Sequence, residues 1–203
     1  MKLAHVLSLP FLICIITFQS CSTTDDEPLT SFDSIAKSQQ IVTSNNDFAF
    51  SLFKEIAQTE TENNFMISPV SASLALGMVY NGANGETKQA FANIFNYGNT
   101  TLEETNLVNQ NIIENLTRTG SGTTFEIANS LWVNNSFPVK ETFLKANETY
   151  YFAEVQNKDF NDPKTLETIN NWVSNKTNGK IPSVLNDISP NAVLYAINAL
   201  YFK

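Results

Sequence analysis

One stretch near the end of the sequence constrains the fold more than any other. From Ala192 to Phe202 every residue except Asn198 is apolar, so an extended segment would be largely apolar on both faces. Such a strand is stable only when both faces are covered, which predicts a place at the centre of a sheet. The sequence stops at Lys203, and an uncovered apolar edge would promote aggregation. We therefore expect residues 32–203 to be part of a larger domain.

The residues before that strand alternate between helical and extended patterns. Asn46 or Asp47 is predicted to cap a first helix. Ser68 and Pro69 are predicted to open a second helix, because Ser is a good N-cap and Pro fits the first turn. The remaining periodicity predicts helices over 85–97, 102–118 and 138–151 and from Asp162 onward, with strands over 125–133 and 153–160. This mixture predicts an α+β protein.

The N-terminal residues have the pattern of an export signal. A positive start is followed by a largely apolar stretch to Phe18, which is short for a membrane span and contains Pro10. The residues that end at Cys21 resemble a bacterial lipoprotein cleavage box, in which the Cys is acylated. We expect a signal peptide over 1–20, a flexible acidic tether over 21–31 and anchoring at the cell surface through Cys21. The alternative is an ordinary secretory signal and a secreted protein.

Histidine and cysteine are nearly absent from the chain. The one His and the two Cys are His5, Cys14 and Cys21, so removal of the leader would leave no His and a single N-terminal Cys. This excludes Ser-His and Cys-His catalysis, imidazole zinc sites and a disulfide framework within these residues, and we expect no metal or cofactor. With 20 acidic and 12 basic side chains, the chain is not suited to nucleic acid.

Five segments between residues 64 and 203 carry a family resemblance. They are NFMISPVSAS (64–73), NGANGET (81–87), ANSLWV (128–133), INNWV with TNGKI (169–173 and 177–181) and NALYFK (198–203). Their content and order resemble the serpin family. The resemblance implies a fold in which helices pack on a large, mainly antiparallel central sheet, sheet A, of which this sequence would carry the N-terminal portion.

The resemblance implies a function that needs no catalytic group. In serpins a target protease cleaves an exposed reactive-centre loop, which then inserts into sheet A while the protease is held as an acyl-enzyme and distorted. The expected function is therefore inhibition of serine or cysteine endopeptidases, with the protease as partner and no enzymatic activity. The reactive-centre loop would lie beyond Lys203. We expect residues 22–203 alone neither to inhibit a protease nor to fold stably.

The resemblance also assigns roles to individual residues. Ser68, Ser71 and Asn198 match positions where serpins build a buried polar cluster, the shutter, beneath the place where sheet A opens. An unpaired Asn198 in an apolar strand would cost about 1–3 kcal/mol, so we expect it to have partners. Asn170 and Trp172 lie on the helix that would cross the sheet and are candidates for holding it closed. The simpler alternative makes Ser68 a helix cap, Asn198 one of 26 Asn residues and Trp172 a core residue.

Two other functions remain open from the sequence. Ser34-Lys37 and Ser51-Lys54 both match Ser-x-x-Lys, the nucleophile motif of penicillin-binding proteins and related hydrolases, although the companion motifs are absent. The second alternative is a serpin-shaped binding module that does not inhibit. The hinge of the reactive-centre loop would distinguish it, because only small residues there permit insertion.

Overall fold

The computed structural model describes residues 34–60, 64–118, 122–189 and 191–203. The predicted signal peptide, Cys21 and the predicted tether lie outside these residues. The described residues form, in chain order, α1 (Ser38–Thr59), α2 (Pro69–Tyr80), α3 (Gly85–Phe95), α4 (Leu102–Thr117), β1 (Phe125–Asn134), α5 (Glu141–Tyr151), β2 (Glu154–Lys158), α6 (Pro163–Lys176) and β3 (Leu194–Phe202). The α+β class predicted from the sequence is confirmed.

The three strands form one mixed sheet in the order β2-β1-β3. β1 pairs parallel with β2 and antiparallel with β3, in a register that places Phe125 opposite Phe202 and Val133 opposite Leu194. Within the described residues β1 is the middle strand and β3 pairs with β1 on one side. The central place predicted for the last strand in the larger domain stays a prediction. An apolar pattern on both faces indicates that both faces of the strand are covered. It does not indicate whether one or both edges of the strand are paired.

Both faces of β3 are covered by helices, which explains its apolar pattern. On one face, Ile197 and Ala199 pack in a cluster with Ile169 and Val173 of α6. On the other face, the neighbouring residue Ala196 packs against a cluster that contains residues of α2. Successive strand residues point to opposite faces, so the sheet lies between α6 and the layer that contains α2.

A separate apolar cluster holds the first four helices together. It comprises Ile41, Phe48, Tyr80, Phe95, Tyr97 and Val108. Ile41 and Phe95 are fully buried, and burial of such a side chain contributes about 1.5–3 kcal/mol. None of the helices that the structure describes is both long and apolar enough to cross a lipid bilayer.

The first residues of α1 and α2 can be compared with the N-caps predicted from the sequence. Ser68 accepts a hydrogen bond from the Ser71 backbone N–H at 3.3 Å and Pro69 is the first residue of α2, as predicted. The predicted start of α1 at Asn46 or Asp47 is wrong, because the helix begins at Ser38. The earlier turns are held by tertiary contacts: Ile41 is buried and the Ser44 hydroxyl donates to the Asn96 carbonyl at 3.0 Å.

Candidate functional site

The register of β1 and β3 places two asparagines opposite each other. Asn129 of β1 pairs with Asn198 of β3 across the antiparallel ladder. The Ser68 cap fixes the first turn of α2, and Ser71 in that turn lies over the pair. Helix capping is a local property of the sequence, whereas strand register is a tertiary one. Together they bring Ser71 and Asn129, which are 127 and 69 residues from Asn198, into one cluster with it.

The amide of Asn198 is paired at both ends. Its Nδ2 donates to Asn129 Oδ1 at 2.7 Å, and its Oδ1 accepts a hydrogen bond from the Ser71 hydroxyl. Asn129 is 3% exposed, and its Nδ2 donates to the Tyr151 carbonyl at 2.7 Å. The partners expected for Asn198 are therefore present. We call Ser71, Asn129 and Asn198 the amide cluster. Asn129 is buried and the other two are partly buried, and such a cluster stabilises only while its members remain paired.

Ser68 contributes to the amide cluster indirectly. Its side chain is exposed and accepts from the Ser71 backbone N–H, so it acts as the cap of α2 and positions Ser71. Asn129 and Tyr151, which do join the buried network, were missed by the sequence analysis. The position of Asn129 opposite Asn198 would have identified it as a member of the cluster. That position depends on the strand register, which the sequence alone does not provide.

The network continues from the sheet into the helices through Tyr151. The Tyr151 side chain is fully buried, and its hydroxyl accepts from Asn109 Nδ2 at 3.0 Å and donates to Asn106 Oδ1 at 3.1 Å. Asn106 Nδ2 in turn donates to Asn81 Oδ1 at 2.8 Å. Burial raises the pKa of Tyr151 well above its ordinary value, so the phenol stays protonated and remains a donor.

A glycine permits this approach of α2 to Tyr151. A Cβ atom at Gly77 would lie 2.6 Å from the Tyr151 hydroxyl oxygen. A side chain at position 77 would therefore force a shift of α2 or of the buried Tyr151 ring. The carbonyl of Tyr151 holds Asn129.

Trp172 joins α6 to the sheet. Its ring meets Trp132 of β1 edge to face, with centroids 6.2 Å apart and an angle of 82°, and its Nε1 donates to Glu154 Oε2 of β2 at 2.9 Å. Lys176 lies 2.7 Å from the other Glu154 oxygen. These directional contacts are with β1 and β2, whereas the contact with β3 is through the shared apolar cluster that contains Ile197.

Asn170 binds the segment that follows α6. Its Oδ1 accepts from the backbone N–H groups of Val184 and Leu185 at 2.8 and 3.0 Å, and its Nδ2 donates to the Leu185 carbonyl at 2.8 Å. These three bonds fold the chain back against α6. Any influence of Asn170 on the sheet therefore passes through the helix.

The Glu154 carboxylate is the charged group of the α6 contact. Burial raises its pKa, but the hydrogen bonds and charge of Lys176 and the hydrogen bond from Trp172 lower it more strongly. The net result is a pKa below the ordinary glutamate value, so Glu154 is ionised at neutral pH.

The two Ser-x-x-Lys motifs lack the geometry of a hydrolase. Lys37 donates to the Asn99 carbonyl at 2.6 Å and lies 3.6 Å from a Glu104 carboxylate oxygen. Ser51 and Lys54 are both exposed on α1. A nucleophilic Ser needs a base held against it in a pocket, and these contacts do not provide one. Within the described ranges no three His, Cys, Asp or Glu side chains are grouped to hold a metal ion.

Comparison with known proteins identifies relatives of this chain. The family model of Serpin (serine protease inhibitor) matches residues 43–203. An uncharacterized serpin-like protein of Methanosarcina acetivorans is 33% identical over 88% of this chain and 43% of its own length. The curated relatives are thus matched over less than half of their length.

Two solved structures are similar to this fold. The thermophilic serpin tengpin in its latent state has a TM-score of 0.74 and 35% identity, over 81% of this chain and 44% of that one. Reactive loop cleaved human thyroxine binding globulin has a TM-score of 0.74 and 28% identity, over 81% of this chain and 50% of that one.

Replacement of Asn198 by Ala in the full-length protein should lower the free energy of unfolding by about 1–3 kcal/mol. The reason is that the partly buried Ser71 and the buried Asn129 would each lose a hydrogen-bond partner. Urea unfolding followed by circular dichroism measures the effect. Asn157→Ala, on the exposed side of β2, is the matched control and should change stability by less than about 0.5 kcal/mol. Equal effects of the two substitutions would contradict the role given to the amide cluster.

Acidification should release Trp172 from Glu154. Because the folded-state pKa of Glu154 is depressed, its stabilising contribution is present above the ordinary glutamate pKa and is lost as pH falls through the lower folded value. We expect tryptophan fluorescence to show a transition at a pH below the ordinary glutamate pKa of about 4.3. Glu154→Gln should abolish that transition, since Gln does not titrate. A transition that persists unchanged in Glu154→Gln would show that another group causes it.

Proposed function

This chain belongs to the serpin family, and we propose that the full-length protein inhibits serine or cysteine endopeptidases by inserting a cleaved reactive-centre loop into the sheet that contains β1 and β3. The protease supplies the nucleophile and is held as an acyl-enzyme, while the serpin supplies the bait and the conformational change. This agrees with the absence of His and Cys from residues 22–203.

The amide cluster is the observation that carries the proposal. Insertion requires β3 to move relative to the helix beneath it, and Ser71, Asn129 and Asn198 connect β1, β3 and α2. Hydrogen bonds are directional, so a small movement of β1 and β3 together over the helices would break the bonds from Ser71 to Asn198 and from Asn129 to the Tyr151 carbonyl. The Asn129–Asn198 bond between the two paired strands would be kept. We propose that the amide cluster is the shutter, that Ser68 supports it through Ser71, and that Trp172 and Asn170 hold α6 over the sheet.

We propose that the inserted loop pairs with the edge of β3 that faces away from β1. β3 is bonded to β1 on one side, and both of its faces are covered by helices. A new strand could pair with the backbone groups of the other edge, as in other cases of β-strand addition. The cover on the faces of β3 would let the inserted strand bury apolar side chains as well.

The second candidate is a serpin that binds a ligand or partner without inhibiting. It is favoured by the similarity to human thyroxine binding globulin, whose name states a binding function. The two candidates share the fold and differ in whether the loop inserts after cleavage.

Incubation of the full-length protein with active proteases should distinguish them. We expect at least one serine or cysteine endopeptidase to lose activity and to form a complex that survives SDS, because an acyl-enzyme is covalent. The same protease with its catalytic Ser or Cys replaced by Ala should form no such complex. Cleavage of the loop by every protease tested, without loss of protease activity, would overturn the inhibitor proposal and favour the binding module.

We also propose that Cys21 carries a lipid anchor. The support is the leader pattern, the cleavage box and the acidic segment that follows it. Several acyl chains would hold the protein on a membrane, since each buried methylene contributes about 0.8 kcal/mol.

Cys21→Ala should move the protein from the membrane fraction to the soluble fraction and abolish incorporation of labelled fatty acid. Cys14→Ala, which changes the other Cys within the leader, should do neither. Equal membrane binding of the Cys21→Ala protein would refute the anchor and leave the secreted form as the alternative.

A further inference from the structure

The sequence contains three Asn-Gly dipeptides, at 81–82, 84–85 and 178–179. Asn-Gly is the dipeptide most prone to spontaneous deamidation, the loss of ammonia from the asparagine side chain. The glycine nitrogen attacks the asparagine Cγ, a five-membered imide forms, and ammonia leaves with the nitrogen's proton. Water then opens the ring at one of its two carbonyls and gives either aspartate or isoaspartate. Glycine favours the attack because it has no side chain to obstruct ring closure.

Two of the three pairs are held by hydrogen bonds that oppose this reaction. At 81–82, the Gly82 N–H donates to the Val79 carbonyl at 2.9 Å, and Asn81 Oδ1 accepts from Asn106 at 2.8 Å. The Asn81 side chain therefore cannot turn toward the Gly82 nitrogen without breaking the buried network.

The pair at 178–179 is exposed, but the Gly179 nitrogen that would attack is already held by a hydrogen bond. The Gly179 N–H donates to the Ser174 carbonyl at 2.8 Å, in the turn that ends α6. Asn178 Nδ2 also donates to Glu126 Oε2 at 3.3 Å. Ring closure at Asn178 would need both bonds to break.

At 84–85 the glycine N–H and the asparagine side chain are bonded to each other and, among the described residues, to no others. Gly85 is the first residue of α3, so its N–H lacks a partner within the helix, and it donates to Asn84 Oδ1 at 2.9 Å. The nucleophilic nitrogen thus already lies beside the amide that it attacks. Both residues are exposed, and a Cβ built on Gly85 would meet no atom within 4 Å. Water can reach the site and the chain has room to close the ring.

We propose that Asn84 is a site of spontaneous deamidation in the folded protein, and that the structure protects Asn81 and Asn178. The reaction adds one negative charge to a chain of net charge −8. The aspartate product keeps an oxygen that can cap α3, and its charge is favourable at a helix N-terminus. The isoaspartate product adds an atom to the main chain and removes the cap, so it loosens the first turn of α3.

Peptide mass mapping of the full-length protein, aged at about pH 8, tests the proposal. In the folded protein we expect Asn84 to gain about 1 Da at least tenfold faster than Asn81 or Asn178. In urea all three should react at similar rates, because each is then an unstructured Asn-Gly pair. Equal or faster modification of Asn81 or Asn178 in the folded protein would overturn the proposal, as would no modification at Asn84.

Asn84→Ser provides a variant that should fold normally, because Ser also caps helices but cannot form the imide. It should abolish the acidic form that ion-exchange chromatography separates from the aged protein. Asn178→Ser is the matched control and should leave that form in place. These readouts do not depend on protease inhibition, so the failure of this proposal is separable from the failure of the proposed function.

Discussion

The hydrogen bond between the side-chain amides of Asn129 and Asn198 fixes how the sheet sits on the helices. It spans β1 and β3 at 2.7 Å, with Ser71 of α2 bonded to one amide and the Tyr151 carbonyl at the end of α5 bonded to the other. The surrounding apolar contacts drive burial but are not directional. A slip of β3 by one residue would turn Asn198 to the other face and leave its partners unpaired. The amides therefore specify one register among several that apolar packing would accept.

The features that could be predicted from the sequence are those set by neighbouring residues. The start of α2 at Ser68-Pro69 and the cap of α6 at Asp162 follow from local chemistry, and both are present. The start of α1 could not be predicted, because Ser38 to Asp47 is helical through contacts with residues beyond α3 such as Asn96 and Tyr97. Local cap signals within that segment were overridden by tertiary packing.

The candidate site was predictable in part for the same reason. Ser71 and Asn198 came from a family pattern, whereas Asn129 and Tyr151 enter through strand pairing and burial. In a chain with 26 Asn residues, composition gives no means of separating the buried amides from the exposed ones. Asn129 and Asn106 are each 3% exposed and belong to the hydrogen-bond network around Tyr151. Asn84, in contrast, is exposed and precedes a glycine. The same residue type thus stabilises the interior and offers a reactive group at the surface.

The two faces of the sheet are restrained by different chemistry. On the α2 face, neutral amides and a hydroxyl hold β3, while on the α6 face Trp172 and Glu154 hold the helix to β1 and β2. Widening the sheet beside β3 would strain the first set most directly, because the polar anchors of α6 are on the other two strands. The proposed opening therefore requires loss of the Ser71 bond to Asn198 without release of α6 from β2.

Thermal unfolding of the full-length protein, before and after a single cut in its reactive-centre loop, tests the central claim most directly. An inserted loop adds a paired and covered strand to the sheet, so the account predicts that the cut protein unfolds at a clearly higher temperature than the intact one. An unchanged or lower unfolding temperature after the cut would contradict loop insertion and the role proposed for the amide cluster.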